Sequence, residues 1–199
     1  MKRLLIATNN PGKTEEIQAL LAGLPVEIVT PASLGIDLHV TEDGTTYADN
    51  AQKKARGFAQ LSDLVSLADD SGLEVDALNG APGLYSARYV RAAGATDADR
   101  RAFLLKNLAD RPRPWTARFR AAVAVAVPAG AVQVVEGECP GEIIPEERGT
   151  GGFGYDPIFF ILEMGHTMAE LDMAEKNRIS HRARAVMKIR PILEQLFAK

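Results

Sequence analysis

The chain has 199 residues, 46% hydrophobic and 25% charged, enough for one domain with its own core or one domain with two lobes. Its 23 basic and 26 acidic residues give a net charge of −3 with no long basic run, which excludes coating a nucleic-acid backbone, a task that needs clustered Lys and Arg. One cysteine, Cys139, cannot close an internal disulfide, and no apolar run approaches the ~20 residues of a membrane span, so the chain reads as cytoplasmic with neither nucleic-acid nor membrane partners.

Residues 3–7 predict a short buried strand. Its apolar run stops at Thr8-Asn9-Asn10-Pro11, short of the ~7–15 apolar residues of a secretory signal. Pro11-Gly12 predicts a turn, and residues 14–21 a helix with Ile17, Leu20 and Leu21 on one face. Residues 26–29 predict a second strand. Residues 45–61 predict a second helix, with Ala48, Ala51, Ala55, Phe58 and Ala59 on or near one face. Residues 64–68 read as a buried strand that ends at Asp69-Asp70-Ser71-Gly72. A third helix spans 98–108, capped by Thr96 or Asp97.

The clearest β pattern follows. Phe119, Ala121, Val123, Val125 and Val127 alternate, Pro128-Ala129-Gly130 turns the chain, and residues 132–139 return as a hairpin, with Cys139 packed rather than reactive. Residues 158–162 predict another strand. The last helix runs from Ser180 to Phe197, with Ala183, Val186, Ile189, Ile192, Leu193 and Leu196 as its core stripe and Pro191 as a candidate kink. The order predicts an α/β fold with a mixed sheet, a single domain over 1–199 whose second lobe comes from the hairpin region.

Two motifs are near misses. Residues 7–14, Ala-Thr-Asn-Asn-Pro-Gly-Lys-Thr, match a P-loop at Gly12, Lys13 and Thr14 but carry Ala7 at the first glycine. A Cβ there, and Pro11 without an N–H, work against wrapping a phosphate with backbone amides. Residues 149–154, Gly-Thr-Gly-Gly-Phe-Gly, satisfy the dinucleotide fingerprint, but neither the strand before nor the helix after it is present.

Four polar clusters remain. Thr8, Asn9, Asn10 and Lys13 sit between a strand end and a helix start, where backbone N–H groups favour an anion; a plain βα turn is the alternative. Asp69 and Asp70 are neighbours on a strand, so they point to opposite faces, and a magnesium ion would relieve their repulsion; a capped Asp-Ser-Gly turn is the alternative. Phe153, between Gly152 and Gly154, offers a face for stacking a base, or else is a packed aromatic in a glycine-rich loop. Lys176, Arg178, His181 and Arg182 cluster at the start of the last helix, where positive charge is unfavourable unless an anion lies nearby; a solvated basic turn is the alternative. Together the clusters supply phosphate donors, a metal carboxylate, a base platform and cations, which is what a nucleoside triphosphate needs.

Thr8-x-Asn10-x-x-Lys13, Ala68-Asp69-Asp70-Ser71-Gly72-Leu73, the run from Gly80 to Tyr89, the run from Gly151 to Pro157 and Ser180-His181-Arg182 resemble the inosine/xanthosine triphosphate pyrophosphatase family over essentially the whole chain. The resemblance implies an elongated mixed β-sheet flanked by helices, two lobes with a nucleotide cleft between them, and a homodimer. It implies Mg2+-dependent hydrolysis of ITP, dITP and XTP to the monophosphate and pyrophosphate. Carried over by motif, Asp70 is the catalytic residue and a metal ligand, and Glu42 the second metal carboxylate, with Asp43 beside it. The implied substrate contacts are Thr8, Asn9, Asn10, Pro11, Gly12, Lys13, Lys53, Ser71, Phe153, Gly154, Tyr155, Asp156, Lys176, His181 and Arg182, with Arg182 or a backbone N–H near His181 reading the 6-carbonyl. A P-loop-like NTPase and a non-catalytic nucleotide sensor are the rival readings.

Overall fold

The structure, a computed structural model, describes residues 2–198. In chain order it holds β1 (Arg3–Ile6), α1 (Pro11–Leu20), β2 (Glu27–Val29), α2 (Tyr47–Ser62), β3 (Val65–Val75), α3 (Asp97–Leu108), β4 (Trp115–Ala126), β5 (Val132–Ile143), β6 (Phe159–Ile161), β7 (His166–Thr167), α4 (Met173–Ile179) and α5 (His181–Ala198). The strands form one seven-stranded sheet in the order β2-β1-β3-β4-β5-β6-β7. β1 is parallel to β2 and β3, and β6 is antiparallel to β5 and β7, so the sheet is mixed, as expected.

The chain divides into two compact units. The first comprises Met1–Asp70, Ala121–Gly137 and His181–Lys199, and the second Ser71–Arg120 and Glu138–Ser180. In the first unit, strand alternation sends Leu4, Ile6, Leu67 and Val123 into a cluster with Ile17 of α1 and Val186, Ile189 and Leu193 of α5. Leu5, Ala7, Ala68, Ala122 and Ala124 point the other way, against Ala51, Ala55 and Phe58 of α2. Leu4, Leu5, Ile6 and Leu67 are fully buried, each contributing about 1.5–3 kcal/mol. Apolar burial on two sides therefore holds the strands from which the charged residues below project.

The second unit has its own core of Leu73, Val75, Leu104, Leu108, Trp115, Phe119, Ile143, Ile158 and Phe159, in which Cys139 is packed as expected. Among the described residues, no helix is long and apolar enough to cross a membrane.

Three departures from the sequence reading matter. α1 begins at Pro11 rather than residue 14, because Asn10 caps it through Lys13 N and proline suits the first helical position, where no N–H is needed. β3 does not end at Asp69 but runs through Gly72 to Val75, so both acids are strand residues and no Asp-Ser-Gly turn forms. An unexpected α4 starts at a capping box, with Asp172 and Glu175 satisfying each other's backbone N–H. It separates Lys176 and Arg178 from the helix that carries His181 and Arg182.

Candidate active site

The first unit concentrates charge around adjacent β3 residues. Asp69 shares the parity of Leu67 and meets α1 and α5; Asp70 shares that of Ala68 and meets α2. Asp69, 1% exposed, pairs with Lys13 of α1 and with Arg182 of α5, whose Nε lies 3.3 Å from Oδ2. Arg182 also donates to Glu16, one turn beyond Lys13 on α1. Burial pushes the Asp69 carboxyl up, but Arg182 and Lys13 outweigh it and hold the group far below the usual carboxylate range. The basic start of α5 is thus not a solvated turn: Arg182 is 1% exposed, with two carboxylates offsetting its charge. Arg182→Ala leaves Asp69 and Glu16 buried without it, so it is expected to destabilise the protein by about 3–5 kcal/mol, read as a lowered midpoint in thermal denaturation.

Asp70 has different company. Lys54 Nζ lies 3.0 Å from its Oδ1, 2.8 Å from Glu42 Oε1 and 2.7 Å from the Asp69 carbonyl oxygen. Asn50 Nδ2 donates to Asp70 Oδ2 at 3.2 Å. Asn50 and Lys54 are four residues apart on α2, hence on one face. Asn50 Oδ1 accepts from Gly44 N at 2.8 Å, which ties the segment carrying Glu42 to the helix. A Cβ on Gly44 would fall 2.6 Å from that oxygen, so the approach requires glycine. Burial raises the Asp70 carboxyl above its usual range despite Lys54 and Lys13, while Asp70 and Glu42 hold Lys54 charged against the desolvation it suffers.

Between β1 and α1 the polar side chains serve the backbone. Thr8 Oγ1 accepts from Asn10 N at 3.2 Å, and Asn10 Oδ1 accepts from Lys13 N at 3.1 Å. β1 ends at Ile6 and α1 opens at Pro11, so only residues 7–10 separate strand from helix, too short a loop to wrap a phosphate, which argues against the P-loop reading.

The second unit carries the glycine-rich loop, which is irregular as expected. Asp156 Oδ2 accepts from Phe153 N at 3.0 Å and from Lys176 Nζ at 2.7 Å; the Asp156 and Lys176 side chains are each 5% exposed. Lys176 Nζ sits 5.2 Å from the Phe153 ring centroid, a cation–π contact. Tyr155 is buried, and its hydroxyl donates to the Ser86 carbonyl at 2.9 Å, so it anchors the loop. Gly152 has φ +70°, and a Cβ there would lie 2.1 Å from Asp156 Oδ2. Gly152→Ala is therefore expected to cost more than about 1 kcal/mol and to part Asp156 from Lys176, lowering the melting temperature by several degrees.

The Ham1 family profile matches residues 4–192, from β1 into α5. The chain belongs to the Ham1 family. A protein of Desulforamulus reducens named dITP/XTP pyrophosphatase is 47% identical over 196 residues, covering 98% of this chain and 97% of that protein. One of the same name from Geobacter sulfurreducens is 48% identical over 187 residues, 94% of each chain. A solved HAM1 protein from Coxiella burnetii superposes with a TM-score of 0.87 at 38% identity, covering 98% of this chain and 100% of that one.

In this Ham1 chain, then, Lys13 and Arg182 gather on Asp69, Glu42 and Asp70 gather on Lys54, and Phe153, Asp156 and Lys176 form a separate group in the second unit. Asn9, Asn10 and Pro11 are exposed, Thr8, Gly12 and Ser71 half-buried, and His181 buried at the start of α5. Lys53 stands outside these groups, on the exposed side of α2, paired with Asp43 at 2.5 Å. Lys54, Asn50 and Glu16 were missed by the sequence reading. For two of them the signal was present: Ala51, Ala55 and Phe58 mark the inner face of α2, and Asn50 and Lys54 border it, whereas Lys53 does not.

Proposed function

We propose that this Ham1 chain hydrolyses purine nucleoside triphosphates with an aberrant base (ITP, dITP and XTP) to the monophosphate and pyrophosphate, with Mg2+ as cofactor. The convergence of Glu42 and Asp70 on one cationic atom, Lys54 Nζ, carries the reading, in a chain nearly half identical to proteins named dITP/XTP pyrophosphatase. Two carboxylates that already accommodate a cation form a hard, all-oxygen donor set suited to Mg2+. Among the described residues no cluster of three or more His, Cys, Asp or Glu could hold a metal, and Mg2+ commonly uses one or two carboxylates and completes its shell with phosphate oxygens and water.

Glu42 and Asp70 would hold the ion. When bound, it neutralises phosphate charge and lowers the pKa of a water. Asp70, whose burial raises its proton affinity, accepts the proton of a water whose oxygen bonds to the α-phosphorus. The bond from that phosphorus to the bridging oxygen breaks, and pyrophosphate leaves with the electron pair. Lys13 and Lys54 meet the phosphates, alongside the N-terminal end of α1, and Phe153 stacks on the base. Asp69 holds Lys13 in place. The enzyme works in the cytoplasm as a homodimer, for which exposed Tyr85, Phe103, Leu162 and Met187 offer apolar surface.

A panel of ITP, dITP, XTP, GTP and ATP with Mg2+, assayed for pyrophosphate and orthophosphate, tests this. Pyrophosphate from the first three, with little from ATP or GTP, is expected. Orthophosphate as product would indicate an NTPase of another kind, and binding without turnover a sensor; either result rejects the reading.

A further inference from the structure

The glycine-rich loop is gripped from outside as well as from within. Asp97 and Arg101, one turn apart at the start of α3, hold the two backbone groups of one residue: Gly154 N donates to Asp97 Oδ2 at 2.8 Å, and Arg101 donates to Gly154 O at 2.9 Å. The same guanidinium donates through Nε and a terminal nitrogen to both oxygens of Glu147, at 2.8 and 2.9 Å. Glu147 lies just before the glycine run, so Arg101 joins the loop's entry to its apex. Gly154 holds φ +64°, a conformation that favours glycine, and it directly follows Phe153. Phe153 N is in turn held by Asp156, and its ring by Lys176.

We propose that Arg101, with Asp97, is a positioning residue for nucleotide binding: by clamping Gly154 it fixes the angle at which Phe153 meets the base. The inference rests on Phe153 as the base platform. Only a planar fork can serve a carboxylate with two donors and a carbonyl with a third; a lysine, a point charge, cannot hold that geometry. Arg101 is 13% exposed and Glu147 46%, so the clamp is reachable by substitutions that leave the core of the second unit untouched.

Steady-state kinetics on dITP with Arg101→Met, Arg101→Lys, Phe153→Ala and the double variant Arg101→Met/Phe153→Ala test this, with melting temperatures recorded for each. A base stack is worth ~1–3 kcal/mol, so Arg101→Met is expected to raise KM about tenfold, with kcat within about twofold. Arg101→Lys is expected to rescue little of it, and Arg101→Met to add little once Phe153 is gone. Glu147→Gln, on an exposed side chain, is expected to raise KM by a smaller factor at an unchanged melting temperature, which keeps the proposal open to test should Arg101→Met fold poorly. If Phe153→Ala raises KM while Arg101→Met and Glu147→Gln do not, the clamp is refuted and the platform stands. If Phe153→Ala leaves KM unchanged, the platform falls and the clamp with it. Additive effects in the double variant, or a fall in kcat at constant KM, also overturn the positioning role.

Discussion

Asp70→Asn is expected to lower dITP turnover by at least ~10³-fold while leaving the protein folded, with a melting temperature within a few degrees of the parent chain. A positioned general base contributes roughly 10²–10⁴, and this carboxylate is also assigned to the metal. The stability half follows from its surroundings. Burial raises the Asp70 carboxyl above its usual range, and Lys54 only partly offsets that. A group whose folded pKa lies above its unfolded value binds a proton more readily when folded, so near neutral pH its ionised form works against folding. Asparagine keeps the shape and removes the charge, but its amide nitrogen faces Lys54 or Asn50 where an oxygen accepted, so the relief of charge and the lost acceptor largely offset. Thermal denaturation beside pyrophosphate release checks both halves. A variant that melts far lower, or that keeps near-parental turnover, contradicts the assignment.

Lys54→Met is expected to reduce kcat/KM about 10²–10³-fold, the range for removing one preorganised charge from a phosphate or oxyanion site. It should also destabilise the metal-free protein, because Asp70 and Glu42 lose their shared cation. Breaking a buried ion pair costs about 3–5 kcal/mol, and the loss should be smaller here because the Glu42 side chain is 31% exposed. Millimolar Mg2+ is expected to restore part of the lost melting temperature, since a metal on the same carboxylates replaces the missing charge. Lys53→Met, on the exposed side of α2 where the ammonium pairs with Asp43, should change kcat/KM by less than about threefold. Equal losses in the two variants would contradict the placement of Lys54.

Periodicity made most of the fold legible. The apolar stripes that place Ile17, Ala55, Val186 and Ile189 in the core depend only on helical spacing, and the alternation from Phe119 to Val125 only on the strand pleat. Asp69 and Asp70 were readable for the same reason, since neighbours on a strand face apart. Where the reading failed, a local signal was outweighed. Asp-Ser-Gly resembles a turn, yet Leu73 and Val75 bury completely and draw the strand onward. Pro11-Gly12 also resembles a turn, yet proline after an Asn cap opens a helix. α4 was visible in Asp172-x-x-Glu175, a capping signature that its short apolar content concealed. The burial of Arg182 was not legible at all. It depends on Glu16 and Asp69, 166 and 113 residues away in sequence, and composition carries no trace of such partners.

The central claim is that Glu42 and Asp70 together hold a divalent cation. Mn2+ binding followed by electron paramagnetic resonance, without nucleotide, tests it most directly on the parent chain, Glu42→Gln, Asp70→Asn and Lys54→Met. The account predicts that each carboxylate substitution weakens binding at least about tenfold and that Lys54→Met binds as tightly as the parent or more so. Mn2+ binding that is indifferent to both Glu42 and Asp70 would contradict it.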